Sequence, residues 1–132
     1  MVNSSLLVFL GKGATMKTPF HVTINGRLYP GVLENSKTAK AFAALFPLNL
    51  MMSELNGNEK YHYLLSPIAQ EEAKVPNLIK AGDLYLFDSS CVVLFYQDIT
   101  TTYPYIKLGH IKIQAGFAED LGMKDILATF GQ

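Results

Sequence analysis

The sequence predicts an all-β fold, a sandwich or a barrel of about eight short strands with one main α-helix and a short second helix. Three observations carry that expectation. Runs rich in Val, Ile, Leu, Phe and Tyr recur at short intervals, with residues 82–87 and 91–98 flanking the polar turn Asp88-Ser89-Ser90. Asn25-Gly26 and Asn56-Gly57 are dipeptides that tolerate the positive φ angles of tight hairpin turns. Strict alternation of strands with helices is missing, which argues against a doubly wound sheet.

Taken in order, residues 21–24 and 28–33 flank Asn25-Gly26 as the arms of a first hairpin. Asn35 or Ser36 then caps a helix over residues 37–46, where Ala39, Phe42, Ala43 and Phe46 recur at i, i+3, i+4 and i+7 as one apolar stripe and Pro47 stops the run. Leu48, Leu50 and Met52 alternate with Asn49, Met51 and Ser53 as a half-buried strand leading to Asn56-Gly57. Residues 60–65 resume strand propensity with Tyr61, Tyr63 and Leu65 on one face. Residues 66–81, with Pro67 and Pro76 and no clear periodicity, form a long connection. The hairpin of residues 82–98 follows; its second arm lacks polar alternation, as expected of a strand covered on both faces or closed inside a barrel. An irregular stretch at 100–105, a strand at 106–113, a short helix at 117–121 and a strand at 126–130 complete the chain.

The chain has 132 residues, 49% of them hydrophobic, enough for one compact domain with a real core. Residues 1–17 differ in composition and read as an extension or an added edge strand, with the domain spanning 18–132. Lysine plus arginine and aspartate plus glutamate number 11 each, so no net positive field exists to hold a phosphate backbone, and nucleic acid is not an expected partner. The apolar run at residues 6–10 is shorter than the core of a signal peptide and far shorter than a bilayer span. Cys91 is the single cysteine and has no internal partner, as fits a reducing compartment. The expected setting is cytoplasmic, with no membrane association, as a monomer or homodimer.

The order Ile24-Asn25-Gly26, then residues 33–42, then Leu45-Phe46-Pro47-Leu48, continued by Gly82-Asp83-Leu84-Tyr85, Leu94-Phe95-Tyr96 and residues 106–111, resembles the bacterial and archaeal family of cyclophilin-like domains. The resemblance covers about residues 18–130. It implies a closed cyclophilin-like β-barrel, smaller than a true cyclophilin, with a helix over an open end. True cyclophilins isomerise peptidyl-proline bonds with an arginine beside an apolar pocket. Arg27, the only arginine, follows a predicted turn, and Phe20-His21-Val22 echoes their Phe-His-Arg tripeptide with Val22 in the arginine's place. A divergent peptidyl-prolyl isomerase is therefore the alternative, and a non-enzymatic binding module the main expectation.

No catalytic constellation stands out. His21, His62 and His110 lie far apart, with no spacing that makes a metal site, and no metal or other cofactor is expected. Gly11-Lys12-Gly13 lacks the spacing of a phosphate loop, Ser89-Ser90 is a turn, and the pairs Glu71-Glu72 and Glu119-Asp120 read as solvated. The functional clue is aromatic, because tyrosines line concave sites with apolar rings and hydroxyl handles. Tyr61, Tyr96, Tyr103 and Tyr105, with Thr38 at the helix start and Asp98 after the apolar strand, are the expected ligand-binding residues. They are placed at one barrel mouth, receiving a small molecule or an extended peptide.

Overall fold

The computed structural model describes residues 17–132. The expected extension, its apolar run and the Gly11-Lys12-Gly13 segment lie, Lys17 apart, outside the described residues.

Among the described residues, eight strands and two helices follow one another as β1 (Thr18–Ile24), β2 (Arg27–Leu33), α1 (Lys37–Ala43), β3 (Leu48–Leu55), β4 (Glu59–Tyr63), β5 (Asp83–Phe87), β6 (Cys91–Phe95), β7 (Ile106–Ile111), α2 (Phe117–Leu121) and β8 (Ile126–Gly131). The strands close into an antiparallel barrel in the order β1-β2-β7-β5-β6-β4-β3-β8. Between the sandwich and the barrel that the strand pattern left open, the chain adopts the closed barrel that the family resemblance implied.

The turns do what their residues allow. Asn25 and Gly26 have φ of 53° and 79°, and Asn56 and Gly57 have 55° and 71°. Both central residues take positive φ, the backbone that matches the right-handed twist of the flanking strands. Asp88 and Ser89, at 54° and 62°, turn the β5–β6 hairpin the same way.

Side chains alternate in and out of the barrel with period two. Phe20, Val22 and Ile24 of β1, Tyr29 and Leu33 of β2, Leu50 and Met52 of β3, Leu84 and Leu86 of β5, Val92 and Leu94 of β6, and Ile126, Ala128 and Phe130 of β8 fill the interior. The wall approaches itself closely beside β7: a Cβ on Gly31 would lie 2.5 Å from the His110 carbonyl oxygen, and one on Gly109 2.5 Å from that of Val32.

Both helices act as plugs. Ser36 is the cap, its Oγ accepting the Ala39 N–H at 3.1 Å. The α1 stripe buries Ala39 and Phe42, and Phe42 meets Phe130 edge-on with ring centroids 5.4 Å apart. Regular helix ends at Ala43 rather than 46, because the residue before a proline avoids helical backbone. Leu45 and Phe46 tighten into i→i+3 bonds to Phe42 and Ala43, which keep the Phe46 ring on Phe42 and Phe130. At the other end of β2, α2 buries Phe117 and Leu121 and is pinned to the first turn by the Asn25 side-chain amide, which donates to the Asp120 carbonyl at 2.6 Å. The helices therefore close opposite ends.

Outside the barrel lies a second, smaller apolar cluster. Tyr85 of β5 and Cys91, Val93 and Phe95 of β6 point outwards yet are buried, and Phe87 is partly so, because the connection 64–82 and the stretch 99–105 cross over this face and pair with each other. Lys74 and Tyr105 exchange backbone hydrogen bonds at 2.8–2.9 Å, and Ile79 and Ile99 do so at 2.9 Å. This covering layer explains why the second arm of that hairpin shows no polar alternation.

Candidate functional site

The outward face of β4-β6-β5 carries a groove built row by row from strand register. Tyr61 of β4 stands opposite Val93 of β6, and Val93 opposite Tyr85 of β5. One row along, Tyr63 stands opposite Cys91, and Cys91 opposite Phe87. Small side chains in the middle strand and rings on both sides make a trough, with Val93 and Cys91 as its floor. Tyr103 and Tyr105 form the rim, and Leu55 and Glu59 close the end towards the β3–β4 turn; the groove encloses about 490 Å³.

The walls are held by ring-to-ring contact. Tyr61 and Tyr63 pack edge-to-face at 6.3 Å, and Phe87 meets Tyr103 at 6.1 Å and Tyr105 at 5.3 Å. Tyr105 is further fixed against Tyr85 and Phe95 at 5.5 and 5.9 Å. Tyr63 and Tyr103 nevertheless remain more than half exposed, so apolar ring surface faces outwards. Burial pushes the Cys91 thiol up to about 11, which leaves it a neutral, unreactive part of the floor. Among the described residues, Glu59 is the only charged residue of the lining. Burial and then the nearby Glu54 carboxylate raise its pKa above the ordinary value. No ion pair of the described residues includes it.

Of the six expected site residues, three come together here: Tyr61, Tyr103 and Tyr105. They stand on the side wall of the barrel rather than at its mouth. The other three are placed elsewhere. Thr38 is buried at the start of α1, where its hydroxyl accepts the Gln70 N–H at 2.9 Å and ties the long connection to the helix. Its neighbours Ser36 and Glu71 line a separate depression of about 600 Å³ that also touches Tyr105. Asp98 is exposed, accepts the Ala81 N–H at 2.8 Å and pairs with Lys80 at 3.3 Å, contacts that hold its carboxyl below the ordinary value.

Tyr96 points into the barrel, because it continues the inward alternation of Val92 and Leu94. Its hydroxyl donates to Glu54 Oε1 at 2.7 Å, and burial pushes its pKa up to about 12. The same carboxylate accepts from Lys60 Nζ at 2.7 Å. Lys60 is fully buried, and its remaining donors reach the carbonyl oxygens of Gly122 and Lys124 at 2.8 and 2.6 Å. Burial opposes ionisation of Glu54, but the Lys60, Tyr96 and Gly57 N–H bonds outweigh it and hold the carboxyl below its usual value. This network ties the loop after α2 to the β3–β4 hairpin. Sequence reasoning missed it, although the signal existed: if Tyr61 and Tyr63 face outwards, Lys60 must face inwards.

Arg27 does not wave freely beyond the first turn. Its guanidinium donates to the Asp120 carboxylate at 3.0 Å and to the Ala115 carbonyl at 3.1 Å, and Tyr29 donates to the same carboxylate. Hydrogen bonds from Tyr29 and Arg27 lower the Asp120 pKa. Among the described residues, no three His, Cys, Asp or Glu side chains gather as metal ligands, and no helix is long and apolar enough to cross a membrane.

Comparison with known proteins agrees with this architecture. No curated protein sequence matches the chain. Among solved structures, that of a hypothetical protein from Archaeoglobus fulgidus is similar with a TM-score of 0.66 at 12% identity, over 92% of this chain and 98% of that one, a likeness of fold. The model of the Cyclophilin-like family matches residues 22–131, which run from β1 to β8 and take in every wall of the barrel and both plugs. With most of its length matched and the barrel closed as the resemblance implied, the chain belongs to the Cyclophilin-like family.

Proposed function

We propose that this protein is a non-enzymatic binding module that receives a small molecule or a short extended peptide in the outer-wall groove of β4-β6-β5, in a cytoplasmic setting. The observation that carries the reading is the groove's construction: a floor of Val93 and Cys91 between facing aromatic walls, on strands fully paired within the barrel. A site on a rigid sheet costs little to order on binding, and rings already fixed by one another lose little rotamer freedom. The volume suits a ligand of modest size, since pockets for small molecules begin at roughly 300 Å³. A peptide would dock through side chains, because β4, β6 and β5 have no free backbone edge within the groove.

The alternative, a divergent peptidyl-prolyl isomerase, needs an arginine beside the proline pocket. Arg27 is committed to Asp120 and Ala115, and the groove lining contains no arginine. That engagement favours the binding module.

A thermal-shift screen of small molecules and short peptides tests the proposal. A ligand that prefers the folded state raises the melting temperature. Tyr103→Ala, a change at an exposed ring, should reduce that shift without lowering the melting temperature of the free protein. Hits that keep their full shift in both Tyr103→Ala and Tyr61→Ala would overturn the groove as the site. Acceleration of Xaa-Pro isomerisation over the slow uncatalysed rate, abolished by Arg27→Ala, would establish the alternative.

A further inference from the structure

We infer that the groove selects an organic cation, a methylated or otherwise alkylated ammonium group, held between the rings of Tyr61, Tyr63, Phe87 and Tyr103 with Glu59 as its counter-charge. The inference rests on the groove being the binding site and adds the chemistry of its ligand.

Two independent features point the same way. The first is geometric. Across the single strand β6, Tyr63 of β4 faces Phe87 of β5 over Cys91, with Tyr61 one row along beside Val93, and the two outer strands lie two spacings or ~9.6 Å apart at the backbone. A cation seated over Cys91 and Val93 is then flanked by rings from both outer strands, with Tyr103 also lining the space. Ring quadrupoles attract a positive charge at such short range, within ~6 Å of the ring centroid. Tyr63 and Tyr103 are more than half exposed, so both side chains are accessible to the same group.

The second feature is charge. Among the described residues, Glu59 is the one charged residue lining the groove. It lies on the same face of β4 as Tyr61, two residues away, and ends the trough. The nearest lysine in sequence, Lys60, is turned into the barrel and fully engaged by Glu54, Gly122 and Lys124, so it does not neutralise Glu59. Among the described residues, the groove thus presents aromatic rings and a half-buried carboxylate with no positive side chain in its lining. A neutral apolar ligand would use the rings and leave that carboxylate without a partner; an anion would be repelled. An alkylated ammonium uses both, and burial of its methyl groups against the apolar floor is itself favourable.

The experiment compares choline with 3,3-dimethylbutan-1-ol, its neutral isostere with carbon in place of nitrogen, against the full chain. The readout is the aromatic NMR resonances of Tyr61, Tyr63, Phe87 and Tyr103. Saturable shifts with choline are expected, with affinity roughly tenfold or more above that of the isostere. Glu59→Gln should weaken choline about threefold or more while leaving the isostere unchanged. Equal affinity for the two probes, unaltered by Glu59→Gln, would overturn the cation inference and leave the groove standing as a site for neutral ligands. No saturable choline shift, or shifts confined to rings outside the groove, would overturn it as well. Failure of the groove reading itself is separately visible as thermal-shift hits insensitive to Tyr103→Ala and Tyr61→Ala.

Discussion

Lys60 Nζ lies 2.7 Å from Glu54 Oε1 inside the barrel, with none of the lysine side chain exposed. Removing one partner of such a pair leaves the other charge without compensation, whereas replacing both by apolar groups often costs little. Lys60→Met should therefore lose ~3–5 kcal/mol. The double change with Glu54→Leu should recover much of that loss. Denaturant midpoints of the two variants check the coupling, and an unchanged midpoint for Lys60→Met would show that the network contributes nothing to stability.

Phe42 is the centre of the α1 plug, fully buried between Phe46 and Phe130. Phe42→Ala should cost ~3–5 kcal/mol through lost burial and the cavity left behind. Calorimetry showing an unaltered melting temperature would mean that the helix is not part of the core.

The β3–β4, β5–β6 and β1–β2 hairpins and the apolar stripe of α1 were legible because each depends on residues near in sequence. Asn25-Gly26 and Asn56-Gly57 dictate local backbone, and Ala39 and Phe42 share a helical face whatever they pack against. Barrel closure was not legible from periodicity. It depends on β8 pairing with both β1 and β3, and on β7 inserting between β2 and β5, contacts between distant segments that alternation alone does not specify. The groove was half legible. Tyr61, Tyr103 and Tyr105 were singled out by residue type, but their facing partners, Phe87 and the Val93–Cys91 floor, are defined by inter-strand register. Tyr96 looked like its fellow tyrosines, yet the inward parity it shares with Val92 and Leu94 places it in the core.

Glu59 supplies a pH test with a definite sign. Its folded pKa is raised, by burial first and Glu54 second, above the ~4.3 of an unfolded chain. Stability linked to this group is present below the unfolded value and lost as pH rises through the raised one. Ionised Glu59 therefore costs stability at pH 7. Glu59→Gln should raise the melting temperature there and converge with the parent protein below about pH 4. A melting temperature lowered at pH 7 would contradict the assignment of Glu59 as a carboxylate without a partner.

Gly31 sits where β2 meets β7, and an added Cβ would come within 2.5 Å of the His110 carbonyl oxygen and 2.8 Å of the Phe20 ring. The backbone oxygen cannot retreat without opening the wall. Gly31→Ala should cost ~1–3 kcal/mol by overpacking. An unfolding midpoint equal to that of the parent protein would show that the β2–β7 seam is looser than described.

Soaking crystals of the full chain with a mixed set of aromatic, aliphatic and amine fragments tests most directly whether the outer wall of the barrel is the binding site. Bound fragments are expected over Val93, between Tyr61 and Phe87 and beneath Tyr103. Fragments gathered instead in the depression lined by Glu34, Glu72 and Lys74, or at a barrel end beside either helix, with the space over Val93 empty, would contradict it.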